Sequence, residues 1–241
     1  MTEPAAGSAS ASGLSVDGVH VHRSGSPVVR DVSLHVPAGA VTVLLGTNGA
    51  GKTTLLEALS GIIAVETGTV NLDGHDITRM ARSKRSRLGL AHIEQGRAIF
   101  GDLTTEENLL VAGRKSEIEG AFELFPALAS RRNARAALLS GGEQQMLVIA
   151  RALVNQPKVL MIDEMSLGLA PIIIKTLMPL VGDLAAQGVG VLLVEQYARL
   201  ALAHGHRAYV LAHGQVAYEG GCQELIDDPQ RLKALYLGPQ V

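Results

Sequence analysis

The chain has 241 residues, a formal net charge of −2 and an apolar fraction of 47%, which suits one large or two small folded domains. This near-neutral charge gives no general attraction to nucleic acid or to an anionic membrane surface, so no nucleic-acid partner is expected. The single cysteine, Cys222, excludes an internal disulfide and fits a reducing compartment.

The chain begins with small and polar residues that predict a disordered tail over residues 1–13, ahead of one folded domain over 14–241. Alternating valines predict a strand over 14–22, and apolar runs predict further strands over 32–36 and 41–45. Residues 68–72 predict a strand that enters an Asp73-Gly74 hairpin turn. These early strands indicate a small antiparallel sheet.

A glycine-rich segment follows the strand at 41–45 and fits the phosphate-loop pattern G-x-x-x-x-G-K-[ST]. The predicted nucleotide-binding residues of this loop are Gly46, Thr47, Asn48, Gly49, Ala50, Gly51, Lys52, Thr53 and Thr54. Glycines let the backbone N–H groups approach phosphate oxygens, while lysine reaches the β- and γ-phosphates and the first threonine holds Mg²⁺. A strand before the loop and a helical pattern after it complete an anion site.

The middle of the chain predicts a basic segment and then a helical insertion. Residues 79–87 hold five basic side chains, which indicates either a solvated helix face or a contact with an anionic surface. A capping box from Thr104 to Glu107 opens a mostly helical stretch, and we take about 104–139 as a helical insertion interrupted by Pro126. Ser140, Gly141 and Gly142 then open a second helix, whose N-terminus is a second candidate phosphate contact.

Polar residues come directly after several predicted apolar strands. Ligands bind at the carboxyl ends of such strands, so these residues supply the parts that a phosphoryl-transfer site requires. Asp163 is placed to hold Mg²⁺ and Glu164 to polarise the attacking water. Gln95 can ligate Mg²⁺ through its amide oxygen and contact the same water. Gln196 can donate an amide N–H to the γ-phosphate. The predicted catalytic residues are therefore Glu164, Gln95 and Gln196, and the predicted metal ligands are Thr53, Gln95 and Asp163.

Four features follow one another along the chain: the phosphate loop, Gln95, the Leu-Ser-Gly-Gly-Glu stretch at 139–143 and the Asp163-Glu164 pair. This arrangement resembles the ATPase subunit of ABC transporters. The resemblance covers residues 14–241. It implies an α/β P-loop NTPase (RecA-like) core with a small antiparallel β subdomain and a helical insertion subdomain. It also implies a head-to-tail pair of ATPase subunits, in which ATP and Mg²⁺ lie between the loop of one subunit and residues 140–142 of the other.

Finer features are similar to the branched-chain amino acid importer group, namely segments 95–100, 105–109, 166–172, 194–196 and 236–238. That likeness implies two integral membrane permease subunits, an external solute-binding protein that acts through them, and a location at the cytoplasmic face of the membrane. The second ATPase subunit would be this chain again or a paralogue. Importers of urea or short amides, exporters and non-transport ABC ATPases remain alternatives.

The sequence departs from the wider family at three places. Gln196 stands where most members have histidine, so it can position a phosphate but cannot carry a proton near neutral pH. His22 and Arg23 stand where many members have an aromatic residue that stacks on adenine. A guanidinium plane or an imidazole could stack in its place, and Arg23 is the predicted nucleotide contact. Met165 stands where proline is common, and the usual aspartate after Leu169 is missing.

Overall fold

The computed structural model describes residues 12–96 and 98–237, within which the chain forms ten strands and ten α-helices. The strands are β1 (Gly13–Arg23), β2 (Ser26–Pro37), β3 (Val41–Leu45), β4 (Thr67–Leu72), β5 (His75–Asp76), β6 (Leu90–Ile93), β7 (Val159–Asp163), β8 (Gly190–Val194), β9 (Arg207–Ala212) and β10 (Gln215–Gly221). The helices are α1 (Lys52–Ser60), α2 (Arg82–Arg87), α3 (Thr105–Leu110), α4 (Lys115–Leu124), α5 (Pro126–Ala129), α6 (Gly141–Leu153), α7 (Pro171–Ala186), α8 (Ala198–Leu202), α9 (Cys222–Asp227) and α10 (Pro229–Leu237).

The core is a six-stranded sheet in the order β10-β9-β3-β8-β7-β6. Its five strands from β9 to β6 pair in parallel, and β10 is antiparallel to β9. Every residue of β3, β7 and β8 is buried. Strands covered on both faces are mostly apolar, so these segments appear in the sequence as nearly continuous apolar runs rather than as alternating ones. The polar exceptions are Thr42 within β3 and Asp163 at the end of β7.

A second, antiparallel sheet has the order β2-β1-β4-β5, which confirms the predicted small β subdomain. Asp73 and Gly74 take positive φ angles of 48° and 77°, the backbone that a tight hairpin requires, and they join β4 to β5. Strand β1 begins at Gly13, one residue inside the predicted tail. Residues 1–11 of that tail lie outside the described part of the chain.

The helical insertion contains α3, α4, α5 and a short 3-10 turn at Ala136–Leu138. The capping box predicted from Thr104 to Glu107 is confirmed, since the threonine side chain accepts from the Glu107 N–H and the Glu107 side chain accepts from the Thr104 N–H. Pro126 begins α5 at its first position, where a missing N–H costs nothing. A bridge between Thr104 and Arg135 closes the base of the insertion.

Within the described residues, none of the helices combines the length and the apolar character needed to cross a bilayer. The longest one, α7, carries Lys175, Pro179 and Asp183 within its 16 residues.

The basic segment at 79–87 contains one residue that neither sequence interpretation anticipated. Arg85 is only 2% exposed, and its guanidinium donates to four backbone carbonyls. Two belong to Ala58 and Leu59 at the end of α1, at 2.7 and 2.6 Å, and two belong to Thr78 and Met80. A cation at a helix C-terminus satisfies the last carbonyls and opposes the negative end of the helix dipole. Arg85 therefore fixes the far end of the helix that begins at the phosphate loop.

We expect Arg85→Ala to lower the free energy of unfolding by about 3 kcal/mol, because it leaves buried carbonyls without donors. Urea denaturation measures this change. Arg87→Ala, on the exposed side of the same helix, is the matched control and should change stability by less than about 0.5 kcal/mol. Equal effects of the two substitutions would contradict the capping role.

Candidate functional site

The carboxyl ends of β3, β6, β7 and β8 lie along one edge of the core sheet and surround a cleft of about 480 Å³. Ligands bind at this edge in open α/β sheets. The structure brings together most of the predicted site here. The cleft is lined by Arg23, Asn48, Gly49, Gly51, Lys52, Thr53, Thr54, Gln95, Glu164 and Gln196, together with Val28 and Leu167.

Two glycines of the phosphate loop are required by the backbone path. A Cβ atom on Gly46 would lie 2.4 Å from the carbonyl oxygen of Leu211, so no other residue fits there without a shift. Gly51 has a φ of 104° and is the residue that precedes α1, a conformation that L side chains rarely adopt. No side chain caps this helix start, which leaves the first-turn N–H groups available to an anion.

Lys52 is 6% exposed, and its ammonium donates to the carbonyls of Gly46 and Thr47 at 2.8 and 3.1 Å. These bonds hold the amine across the mouth of the loop. Burial lowers the pKa of Lys52, while the nearby carboxylates of Glu164 and Asp163 act in the opposite direction. A partly desolvated cation at this position is suited to bind phosphate oxygens.

Asp163 and Thr53 meet beneath the loop, where the threonine hydroxyl donates to Asp163 Oδ2 at 2.9 Å. Asp163 is 2% exposed, and its Oδ1 atom is buried without a hydrogen-bond partner among the described residues. Burial, as the largest cause, raises the pKa of Asp163. An unpartnered carboxylate oxygen beside a hydroxyl fits a hard cation such as Mg²⁺.

Within residues 12–96 and 98–237, no group of three or more histidine, cysteine, aspartate or glutamate side chains could hold a metal ion. Mg²⁺ is commonly held by one or two carboxylates together with phosphate oxygens. The donor set at Thr53 and Asp163 is therefore adequate for a magnesium ion that arrives with a nucleotide.

Glu164 follows β7 in a left-handed conformation, with a φ of 48°. Its N–H donates to the carbonyl of Val194 at 2.9 Å, and its Oε2 accepts from the Gln95 amide at 2.8 Å. Gln196 donates to Asn48 Oδ1 at 3.3 Å. The three predicted catalytic side chains thus lie around one cleft, although they come from segments far apart in the sequence.

Arg23 lies at the side of the cleft and forms an ion pair with Glu57 at 2.9 Å. Its guanidinium also lies 3.4 Å from the Thr54 hydroxyl. His22 pairs instead with Glu66 and does not line the cleft. Of the two residues considered for stacking on adenine, Arg23 lines the cleft and His22 does not.

Ser140, Gly141 and Gly142 do not line this cleft. The Ser140 hydroxyl accepts from the Glu143 N–H, and the Glu143 carboxylate accepts from the Ser140 N–H at 2.7 Å, which makes a capping box at the start of α6. Gly142 packs so closely on Ile173 that a Cβ atom would lie 2.8 Å from its side chain. If these residues contact a nucleotide, that nucleotide is not held by the loop of the same chain.

Sequence reasoning missed one buried contact near the cleft. Glu195, between β8 and Gln196, is fully buried and accepts two hydrogen bonds from Ser166. The signal in the sequence was an acidic residue directly after a strand that is apolar throughout. An acid at such a position is ordinarily expected to be exposed, and it is buried only when it has a partner.

Comparisons with known proteins agree with this geometry. Residues 29–166 match the model of the ABC transporter family. The chain is 40% identical over 232 residues to the high-affinity branched-chain amino acid transport ATP-binding protein BraG of Pseudomonas aeruginosa, with 93% of this chain and 99% of that protein covered. It is 36% identical to the lipopolysaccharide export system ATP-binding protein LptB of Acidithiobacillus ferridurans, with 88% of this chain and 91% of that protein covered.

Among solved structures, the ADP conformation of MJ1267, an ATP-binding cassette of an ABC transporter, matches with a TM-score of 0.84 and 26% identity. The match covers 93% of this chain and 98% of that one. Together with the phosphate loop and the acids at its edge, these findings show that the chain belongs to the ABC transporter family, as an ATP-hydrolysing, ATP-binding subunit.

Proposed function

We propose that this chain powers the import of branched-chain amino acids. The observation that carries the proposal is the 40% identity to BraG over nearly the full length of both proteins. The importer-like segments at 95–100, 166–172, 194–196 and 236–238 support it, although Arg97 and Gly238 lie outside the described residues. In this role the chain works at the cytoplasmic face of a membrane with two permease subunits, which an external binding protein supplies with solute.

Export of lipopolysaccharide is the second candidate, because the chain is 36% identical to LptB of Acidithiobacillus ferridurans. The ATPase chemistry is the same in both cases, so the site itself does not separate them. Importers of urea or short amides rank lower. The solute contacts the permease and the binding protein rather than this subunit.

The site supports a division of roles in hydrolysis, in which water attacks the γ-phosphorus, the bond to the β–γ bridging oxygen breaks, and ADP and phosphate are formed. Lys52 and the loop N–H groups bind the β- and γ-phosphates. Glu164 orients and polarises the attacking water, and Gln95 holds its carboxylate. Gln196 donates an amide N–H to the γ-phosphate.

The metal site is proposed at Thr53, Asp163 and Gln95, whose side-chain oxygens suit magnesium. Mg²⁺, when bound, neutralises charge on the phosphate oxygens. Arg23, held by Glu57, offers the planar face of its guanidinium to the base.

A complete site further requires a second subunit arranged head to tail. Residues 140–142 lie away from this chain's own cleft, and α6 begins there with a helix N-terminus preceded by an exposed serine. Such an N-terminus favours an anion. In the proposed pair, Ser140, Gly141 and Gly142 of each subunit close over the γ-phosphate that the other subunit holds.

A cleft of about 250 Å³ between α2, β6 and α6 is the proposed seat of a permease segment. It is lined by the Arg82–Glu94 ion pair, His92 and Arg151, and Glu94 directly precedes Gln95 in the chain. Both ring nitrogens of His92 are buried without a partner among the described residues. Burial lowers the pKa of His92 to about 4, so the ring is neutral at physiological pH and can donate one hydrogen bond and accept another.

We expect Lys52→Ala to weaken ATP binding by at least about tenfold, because it removes the ammonium at the mouth of the loop. Calorimetric titration of the full chain with Mg·ATP measures this. Lys84→Ala, an exposed lysine on α2, is the control and should bind ATP normally. Unchanged affinity in Lys52→Ala would refute the loop assignment.

We expect Glu164→Gln to lower kcat for ATP hydrolysis by about 100-fold or more, because an amide cannot polarise the attacking water as a carboxylate does. ATP affinity should persist, since the loop is unchanged. Steady-state phosphate release and nucleotide titration separate these two quantities. Wild-type hydrolysis by this variant would remove Glu164 from the mechanism.

Deletion of the gene in the source organism should abolish high-affinity uptake of labelled leucine, isoleucine and valine. The wild-type gene should restore uptake and the Glu164→Gln gene should not, because transport needs hydrolysis. Normal uptake combined with a defect in surface lipopolysaccharide would favour the export role instead.

A further inference from the structure

Glu195 is an ionisable side chain that the proposed roles leave unused. It is 0% exposed, and the residue that faces it, Ser166, is 3% exposed. The Ser166 N–H donates to Glu195 Oε1 at 3.0 Å, and the Ser166 hydroxyl donates to Glu195 Oε2 at 2.5 Å. Both oxygens of one carboxylate thus bind one residue, through its backbone and its side chain.

This contact continues the pairing of two strands beyond their ends. The ladder between β7 and β8 ends with Asp163 opposite Val194, and the Glu164 N–H still donates to the Val194 carbonyl at 2.9 Å. After that point the Glu195 side chain replaces the backbone as acceptor. Glu164, which has a positive φ, therefore lies between two anchored points of the chain. One is its own N–H, bound to Val194, and the other is Ser166, bound to Glu195.

Backbone hydrogen bonds also hold the residues around Ser166 to one another. The Leu167 N–H bonds back to the Glu164 carbonyl, and the Leu169 N–H bonds back to the Ser166 carbonyl, both at 3.2 Å. Leu167 lines the nucleotide cleft, as does Gln196, the residue next to Glu195. The segment that carries Glu164 and Leu167 is thus joined to the one that carries Gln196 by the Glu195–Ser166 contact, in addition to the backbone bond from Glu164 to Val194.

A stabilising role alone does not account for a glutamate here. Burying a carboxylate costs free energy that its hydrogen bonds only roughly offset, and an apolar residue often does as well or better for stability. Burial raises the pKa of Glu195, and the neighbouring charge of Glu164 acts in the same direction. What the carboxylate provides, and an apolar side chain does not, is a fixed geometry with two acceptors.

We propose that Glu195 is a positioning residue for ATP hydrolysis, which holds Ser166 so that Glu164 and Gln196 keep their places around the γ-phosphate. The proposal deepens the proposed function and rests on the role of Glu164 in it. Small displacements of a reacting group can cost as much as about 100-fold in rate. Loss of the contact should therefore lower the rate of hydrolysis more than the affinity for nucleotide.

The test compares Glu195→Ala, Glu195→Gln and Ser166→Ala in the full chain, with ATP hydrolysis and Mg·ATP titration for each. Glu195→Ala should lower kcat by about tenfold or more, with the dissociation constant within about threefold of wild type. Glu195→Gln keeps one acceptor oxygen and should recover part of kcat. The double variant Glu195→Ala/Ser166→Ala should be no slower than Glu195→Ala, because both changes break one contact.

Tyr209→Phe is the control for a general loss of stability, because it removes a buried hydroxyl that bonds the His35 N–H at 3.1 Å. It should lower the melting temperature and leave kcat unchanged. If Glu195→Ala does not fold, Glu195→Gln and Ser166→Ala provide the test. In each of them kcat should fall while the dissociation constant for Mg·ATP stays close to that of the wild type.

A wild-type kcat in the Glu195 and Ser166 variants would overturn the proposal, as would additive effects or an equal loss of binding and kcat. Glu164→Gln is measured beside them. If that variant is inactive while Glu195→Ala is normal, only the positioning role fails. If Glu164→Gln is itself normal, the proposed role of Glu164 fails as well.

Discussion

The parallel pairing of β3, β8 and β7 is the constraint on which the site depends. Val194 lies opposite Leu44 on one side and opposite Asp163 on the other, so three strands end at the same level. Every residue in them is buried, and a shift of register would carry a polar end group into the core or an apolar one out of it. The phosphate loop, the acids after β7 and the polar pair after β8 are therefore held at one edge.

That edge carries an unusual balance of charge for a site that binds a polyanion. Lys52 is accompanied by three acids, Asp163, Glu164 and Glu195. Burial raises the pKa of Asp163 and of Glu195, and the charge of Glu164 adds to both shifts. The proposed Mg²⁺, entering with a nucleoside triphosphate, would offset this negative charge. The unpartnered Oδ1 atom of Asp163 is the group proposed to face that ion.

The three acids also differ in the groups that hold them. Asp163 is bound by a hydroxyl from the loop, Glu164 by an exposed glutamine amide, and Glu195 by a buried serine. Of the three, Glu164 is the one that lines the cleft, and Gln95, which holds it, is exposed there. This placement fits the proposed contact between Glu164 and the attacking water.

Local signals in the sequence were sufficient for the phosphate loop, the strands around it, the hairpin at Asp73-Gly74 and the capping box at Thr104, because each depends on a few adjacent residues. They were not sufficient for Arg85, whose partners at Ala58 and Leu59 lie far away in the chain. A basic residue is read as exposed unless its acceptors are known. Glu195 was missed for the same reason, since only the pairing of β7 with β8 brings Ser166 to it.

An ATP site shared between two subunits, with the loop of one facing residues 140–142 of the other, is the central proposal for this molecule. Mixing two inactive variants, Lys52→Ala and Ser140→Arg, tests it directly by ATP hydrolysis. In a head-to-tail pair of the two variants, one site combines the intact loop of the Ser140→Arg subunit with the intact Ser140 of the Lys52→Ala subunit. Hydrolysis should therefore return on mixing. If the mixture stays as inactive as its components, while each still binds the wild-type chain, the shared site is contradicted.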